Sequence, residues 1–338
     1  MTILFLYALG NIRNIYPQPF DIDKFSFVFS FLTTVLFGIF KYNCIFWNQE
    51  RFSQILKSLK QTYTKFECEK YQANERLRKF KIFIRCYIAY MIPPMIFTFQ
   101  IPLTEFNKSG KKILPFFFEY PFDTSQNNLL FVLALLIIFS SCLLHAFILI
   151  TSDHLIYGTI NVFSLEFNIL KTEFRELKFK NENDWKINLK ILIESHNKLI
   201  ENIKEFQSIF ASILFYNFGL GSFFLCFTAL KCSSVESIPN ALLSFGFCIY
   251  SLFQIFMQCF FGQMLTDASE NLYQEIYQCG WENLKDIKLR KDLVLILVRS
   301  RRIVELKVLN IWGINIEQFF NIVRNGYSYF TLFRELLL

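Results

Sequence analysis

Histidine is scarce in this chain: three in 338 residues, at positions 145, 154 and 196. None of the nine cysteines forms a CxxC pair, and no Cys/His group has zinc-ligand spacing. HExxH, GxSxG, the phosphate-binding P-loop and GxGxxG are all missing. No nucleophile, base and orienting group assemble at readable spacing. His145 and Asp153 are eight residues apart, which on a helix separates them by about 12 Å along the axis. They share a face but not a site, and His196 sits in an apolar stripe as a packing residue. These absences argue against an enzyme and imply no cofactor or metal. Charge is also sparse, at 19% of residues. The net charge of +7 is not gathered into a groove with interleaved aromatics, which argues against nucleic acid as a partner.

What the chain has instead is apolar surface. Apolar residues make up 53%, phenylalanine alone occurs 44 times, and the mean hydropathy is +0.33. Five long uncharged or nearly uncharged runs stand out, at about 25–47, 82–101, 129–150, 209–230 and 238–261. Each approaches the roughly 20 residues that a membrane-spanning helix needs. A sixth, 308–332, is interrupted by polar residues such as Asn315, Gln318 and Arg324. The fold class expected is an all-α membrane protein, a multi-helix bundle forming one domain over 1–338. Met1 to Leu9 is apolar but too short to span. It lacks a basic start and a small-residue cleavage site, so it is a poor signal peptide.

Lysine and arginine set the orientation. The stretches 48–79, 160–206 and 262–307 carry eight each, whereas the alternate loops hold only Lys108, Lys111 and Lys112 in one and Lys231 in the other. The basic loops are therefore assigned to the cytoplasm and the C-terminus to the outside. The cysteines then fall mostly in spans or on the inner side and read as free thiols packed as small apolar groups. Arg299, Arg301 and Arg302 are compatible with anionic lipid binding or with topology alone, and Trp281 reads as a packing residue.

The inner loops look folded. Leu192, His196, Leu199, Ile203, Phe206 and Phe210 alternate spacings of four and three, and Leu265, Ala268, Leu272, Ile276 and Cys279 do likewise. Both are helical stripes running on from a span. They predict a cytoplasmic helical bundle over about 184–210 and 262–307, packing on itself or on neighbouring subunits. The outer loop 102–128, with Pro102, Pro115 and Pro121, reads as irregular chain over the outer ends of the spans. The outer half-spans are rich in aromatics and poor in charge, which suits a small lipophilic ligand. Phe31, Tyr90, Met91, Phe131 and Phe245 are the candidate pocket set.

The last third carries a recognisable pattern. Gly262, Gln263, Leu265, Ser269 and Leu272 are followed by Tyr277 and Trp281, and the tail holds Phe320, Val323, Ser328, Tyr329, Phe330, Thr331 and Leu332. This resembles the last third of insect odorant receptors. Pro121-Phe122-Asp123, Lys41, Arg51, Asp153 and the His196 helix also fall where that family has them. The family has seven helices and a cytoplasmic N-terminus. The first complete span here matches its second helix, and residues 1–10 look like the end of a first helix whose start is absent.

The resemblance implies a ligand-gated, non-selective cation channel. Specific subunits assemble with an olfactory co-receptor subunit into a tetramer in the plasma membrane, a multi-pass arrangement found in sensory neuron dendrites. The ligand is a small volatile odorant, and the remaining partner is the lipid bilayer. The last helix lines the pore, with Leu332 and Leu336 as an apolar gate and Glu335 as an acidic group at the mouth. A gustatory-type receptor is the nearest alternative, but its tail motif is absent here. A G-protein-coupled receptor conflicts with the outside C-terminus.

Overall fold

The computed structural model describes residues 22–65, 70–110, 112, 114, 127–177, 182–234, 238–308 and 311–337. Residues 1–10 and 121–123 therefore lie outside the described residues. Among the described residues eight α-helices follow one another: α1 Ile22–Trp47, α2 Gln49–Lys65, α3 Lys70–Ser109, α4 Asn128–Leu177, α5 Glu182–Ser234, α6 Ile238–Tyr277, α7 Ile287–Ser300 and α8 Ile316–Leu337. Between α7 and α8 runs a small hairpin, β1 Lys307–Val308 paired antiparallel with β2 Trp312–Gly313. Among the described residues, Asn128–Leu177, Asn183–Leu230 and Cys248–Asn283 are long and apolar enough to cross a membrane, and Thr34–Trp47 is a shorter apolar helix. The all-α membrane bundle expected from the sequence is what the chain forms.

α4, α5 and α6 are far longer than a bilayer requires. At about 1.5 Å per residue, the 53 residues of α5 reach roughly 80 Å. Their inner halves build the densest part of the molecule. The stripe of α5 is fully buried, from Leu192 at 3% exposure to Phe210 at 0%, and so is the stripe of α6 from Leu265 to Cys279. A third stripe, on α4, completes the set: Ile156, Ile160, Phe163, Phe167, Leu170 and Phe174 recur at alternating spacings of four and three, and all are buried. Phe163 meets Phe206 edge-on at 5.4 Å, and Phe167 meets His196 at 6.4 Å. α2 lays Phe52, Ile55 and Leu59 against the same core, with Phe52 edge-on to Phe210 at 5.6 Å. The stripes are thus consumed within one subunit rather than left for a neighbour.

The hairpin explains the glycine and serine of the motif after the sixth span. A Cβ on Gly262 would lie 2.2 Å from the backbone oxygen of Ile314, so only glycine lets the hairpin seat on α6. About two helical turns further on, the Ser269 hydroxyl accepts a hydrogen bond from the Val304 amide at 3.0 Å. Leu265 and Leu272 of the same pattern are fully buried. Because Lys307–Val308 and Trp312–Gly313 pair as strands, the last helix begins at Ile316 and not near 308. Asn315 caps it: its Oδ1 accepts from the Gln318 amide at 2.9 Å. That asparagine looks like an interruption of a span and is in fact its start.

α8 packs along α5. Gly326 lies against Leu225 and the Ser222 carbonyl, each 3.2 Å from where a Cβ would stand. Ser222 donates to the Ile322 carbonyl at 3.3 Å, and Phe223 stacks on Tyr329 at 5.0 Å with the rings 7° from parallel.

One buried charge cluster ties the bundle together. Lys41 of α1 is fully buried and Asp153 of α4 is 1% exposed. The ammonium donates to Asp153 Oδ1 and sits 4.4 Å from the centre of the Phe37 ring. Tyr87 of α3 donates its hydroxyl proton to Oδ2 at 3.0 Å, and Gln254 of α6 donates from Nε2 to the same oxygen at 3.3 Å. Four helices therefore meet at one carboxylate. Such a pair gives little net stability over an apolar replacement, but losing one partner leaves an uncompensated charge in a low-dielectric interior.

Two predictions follow from this packing. Lys41→Met alone should cost about 3–5 kcal/mol, whereas the pair Lys41→Met with Asp153→Leu should recover most of that loss. Thermal unfolding of the detergent-purified protein checks it, and equal losses in both variants would contradict it. The second concerns pH. Glu166, on α4 beyond its most apolar stretch, is buried with Oε1 unpartnered among the described residues. Burial pushes its carboxyl up from 4.5 to about 8, and Lys198 pulls it back only in part. Its folded state prefers the proton, so its contribution is most favourable below 4.5 and declines as pH rises towards 8. Burial, followed by the nearby Arg299, pushes His196 down from 6.5 to about 4. Its contribution is complete above 6.5 and declines as pH falls towards 4. Between pH 6.5 and 8 only Glu166 acts, so Glu166→Gln should flatten the loss of stability measured across that window.

Candidate ligand cavity and terminal helix

Above the charge cluster the helices do not close completely. A cavity of about 60 Å³ lies between α1, α4, α5 and α6. Thr34 and Phe37 come from α1, Leu149 from α4, Tyr216, Asn217 and Gly221 from α5, and Tyr250, Ser251, Gln254 and Ile255 from α6. Phe37 stacks on Tyr216 at 4.7 Å with the rings 3° from parallel, which makes one flat aromatic wall. Gly221 keeps the opposite side open: a Cβ there would stand 3.0 Å from Ile255 Cδ1. The lining is mostly apolar with a few hydrogen-bonding groups, the composition that holds a small organic molecule.

The polar wall is wired into the rest of the bundle. Gln254 reaches from the cavity to Asp153, and Asn217 donates to Gln258 Oε1 at 2.9 Å. The buried Tyr250 hydroxyl makes no well-aligned hydrogen bond among the described residues, with the Tyr87 hydroxyl as its polar neighbour. A phenol both donates and accepts, so this is an open position for a ligand oxygen or a water. Nearby, His145 of α4 faces α1 at Gly38, where an added Cβ would lie 2.5 Å from the imidazole Cε1. Both His145 nitrogens are unpartnered among the described residues. No group of three or more His, Cys, Asp or Glu suited to a metal occurs among the described residues.

Of the five residues expected to line a pocket, the three whose side chains are described lie apart from one another. Tyr90 is half-buried on α3 with its ring 5.4 Å from Phe253. Phe131 is buried near the start of α4, 6.4 Å from the ring of Phe106. Phe245 is 58% exposed on α6. The side chains of Phe31 and Met91 lie outside the described residues. Among the described side chains, Tyr90, Phe131 and Phe245 do not line the cavity. The cavity sits one to three turns deeper along α6, among amides and hydroxyls. The signal that could have found it is the set of polar residues inside spans: Asn217, Gln254 and Gln258. Lys41 and Asp153 belong to the same signal, and they outrank His145 as the ionisable groups of the bundle interior.

On α8 the two faces differ. Ile322 and Gly326 are buried against α5, while Phe320, Tyr327 and Leu332 are 60%, 67% and 53% exposed. Arg334 and Glu335 are exposed, and the Leu336 side chain lies outside the described residues.

Comparison with known proteins identifies this architecture. Residues 21–327 match a family model described as 7tm Odorant receptor. Odorant receptor 85c of Drosophila melanogaster is 25% identical over 325 residues, covering 91% of this chain and 82% of that one. Odorant receptor 10 of Aedes albopictus is 26% identical over 144 residues, 43% of this chain and 38% of that one. Among solved structures, the insect olfactory receptor OR5 of Machilis hrabei superposes with a TM-score of 0.80 at 12% identity, covering 98% of this chain and 85% of that one. The same receptor in complex with eugenol gives 0.77 at 14% identity, covering 99% and 86%. With a family model matching most of its length, an odorant-receptor relative aligned along nearly all of it, and the same helical architecture, the chain belongs to the insect odorant receptor family.

Proposed function

We propose that the chain is the odorant-recognising subunit of a ligand-gated, non-selective cation channel in the plasma membrane, assembled as a heterotetramer with the olfactory co-receptor. The observation that carries the reading is the two-faced last helix. α8 buries Ile322 and Gly326 on its own subunit and leaves Phe320, Tyr327 and Leu332 uncovered over a broad arc of about 140°, as a helix does when other subunits and a shared axis lie on that side. In that position Leu332 and Leu336 close the pore as an apolar ring by dewetting, and Glu335 favours cations at the mouth. Arg334 points away from the axis.

Subunit contact then falls to surfaces the single chain leaves apolar. α7 exposes Ile287, Val294, Leu295 and Val298 in the cytoplasmic part, where no lipid covers them. Odorants bind in the upper bundle. The cavity bounded by Tyr250 and Gln254 supplies hydrogen bonding, and Phe31, Tyr90, Met91, Phe131 and Phe245 line the outer approach. Sensory dendrites are the expected location.

Voltage clamp of cells co-expressing this chain and the co-receptor, screened with a volatile panel, tests the reading. Leu336→Ser should raise basal current, and Glu335→Gln should shift cation permeability ratios. Tyr250→Phe should lower sensitivity to oxygen-bearing volatiles by roughly tenfold relative to hydrocarbons, the value of one hydrogen bond. No volatile response, or basal current and permeability unchanged in both tail variants at normal surface expression, would reject it.

A further inference from the structure

We propose that the inner end of α3 carries a docking strip for anionic phospholipid headgroups, built from Arg78, Lys81 and Arg85. These residues stand three and four apart, so they fall on one narrow arc of the helix. All three are exposed. Directly above them on the same arc come Ile88, Ile92 and Ile96, exposed by 41%, 50% and 59%, with Ile82 beside the strip at 52%. The face therefore changes along its length from cationic to aliphatic, as a phospholipid changes from headgroup to chain.

The opposite face of α3 is the one that packs. Ile84 and Tyr87 are buried, Phe83 meets Phe261 of α6 edge-on at 5.7 Å, and Phe80 lies 5.6 Å from His154 of α4. α3 touches its own bundle chiefly through α4 and α6, so the strip looks outward. These contacts also fix its depth. Phe80 and Phe83 are level with the inner ends of the α4 and α6 spans, which puts Arg78 and Lys81 at the cytoplasmic boundary. Arg85 lies further in, between Phe83 and the Tyr87–Asp153 contact. From Arg78 to Arg85 the strip is about 10 Å long.

The charges are available. Among the described residues none of the three cations is in an ion pair or a side-chain hydrogen bond. The acid nearest them in sequence, Glu75, pairs with Lys79 at 2.8 Å and acts on Arg78 only through space, without an ion-pair contact. Orientation by positive charge is served by cations anywhere in the inner loops. It does not require three on one lipid-facing arc, nor an arginine placed above the boundary among isoleucines. A headgroup phosphate meets that requirement: an arginine reaching down from the aliphatic zone offers it paired N–H donors, and the acyl chains cover the isoleucines above.

Native mass spectrometry of the detergent-purified full chain tests this with added dioctanoyl phosphatidylserine, phosphatidylinositol bisphosphate and phosphatidylcholine. Retention of both anionic lipids should exceed that of phosphatidylcholine by at least about tenfold, from adjacent cations acting together. Replacing the strip by Arg78→Gln, Lys81→Gln and Arg85→Gln should reduce retention to the phosphatidylcholine level. Arg85→Gln alone should lower it severalfold. Lys57→Gln with Lys60→Gln, exposed cations on α2, should leave it unchanged. The triple variant keeping the wild-type preference would overturn the proposal, as would a wild type with none, or equal losses in the α2 control. A strip that binds the co-receptor and no lipid would overturn it too, assigning the face to protein contact.

Discussion

A lysine and an aspartate with no route to water constrain this molecule more than any other contact. Inside a helical bundle the cost of leaving either charge alone is large, and the cost of separating them is Coulombic and steep at short range. Asp153 answers it with three donors from three other helices, Lys41, Tyr87 and Gln254. α1, α3, α4 and α6 are thereby fixed at one level relative to each other, although much of their surface elsewhere is smooth aliphatic chain that could slide. Gln254 also forms part of the cavity wall. A ligand that draws on this amide competes with the carboxylate behind it, so occupancy of the cavity and the position of four helices share one hydrogen bond.

Below that level the chain is packed as a soluble core. Phe163, Phe167, Phe174, Phe206, Leu272 and Ile276 have no exposure at all, and aromatic edges meet at 5–6 Å. Above it the packing thins: the most apolar window of α4 is only 17% buried within the subunit. Stability thus concentrates in the densely packed half and adaptability in the apolar, loosely packed half, the division expected when a site must admit and release a ligand. The hairpin joins the two. It hangs on Gly262 and Ser269 of α6 and delivers the chain to Asn315, which starts α8. Any shift of α6 against α4 reaches the last helix through this short connection.

Much of this was legible from residue order. Long apolar runs pointed to the long helices, and spacings of four and three exposed the stripes of α5 and α6. The stripe of α4 escaped because Val162, Leu165 and Ile169 fill the gaps between its members, so no polar face marks the period. α2 escaped because its apolar residues are few and its surface is charged. The hairpin was hidden in an apolar stretch that reads as membrane helix; only the close approach of Gly262 to Ile314 shows why the chain must turn there. The cavity lies among amides and hydroxyls contributed by four helices, which no pattern of aromatics marks. A one-dimensional pattern shows which residues are apolar, but not which distant polar residues meet. Lys41 and Asp153 are 112 positions apart, and only the fold makes them partners.

The central claim, that α8 lines a pore shared between subunits, is tested most directly by cysteine accessibility along that helix in co-receptor-containing channels. Single cysteines at Phe320, Tyr327 and Leu332 should be modified by a water-soluble thiol reagent and should block current. Cysteines at Ile322 and Gly326, which face α5, should not react. Block that repeats with the helical period confirms a water-lined face. Reactivity without period, or current indifferent to modification at all five positions, would place the pore elsewhere.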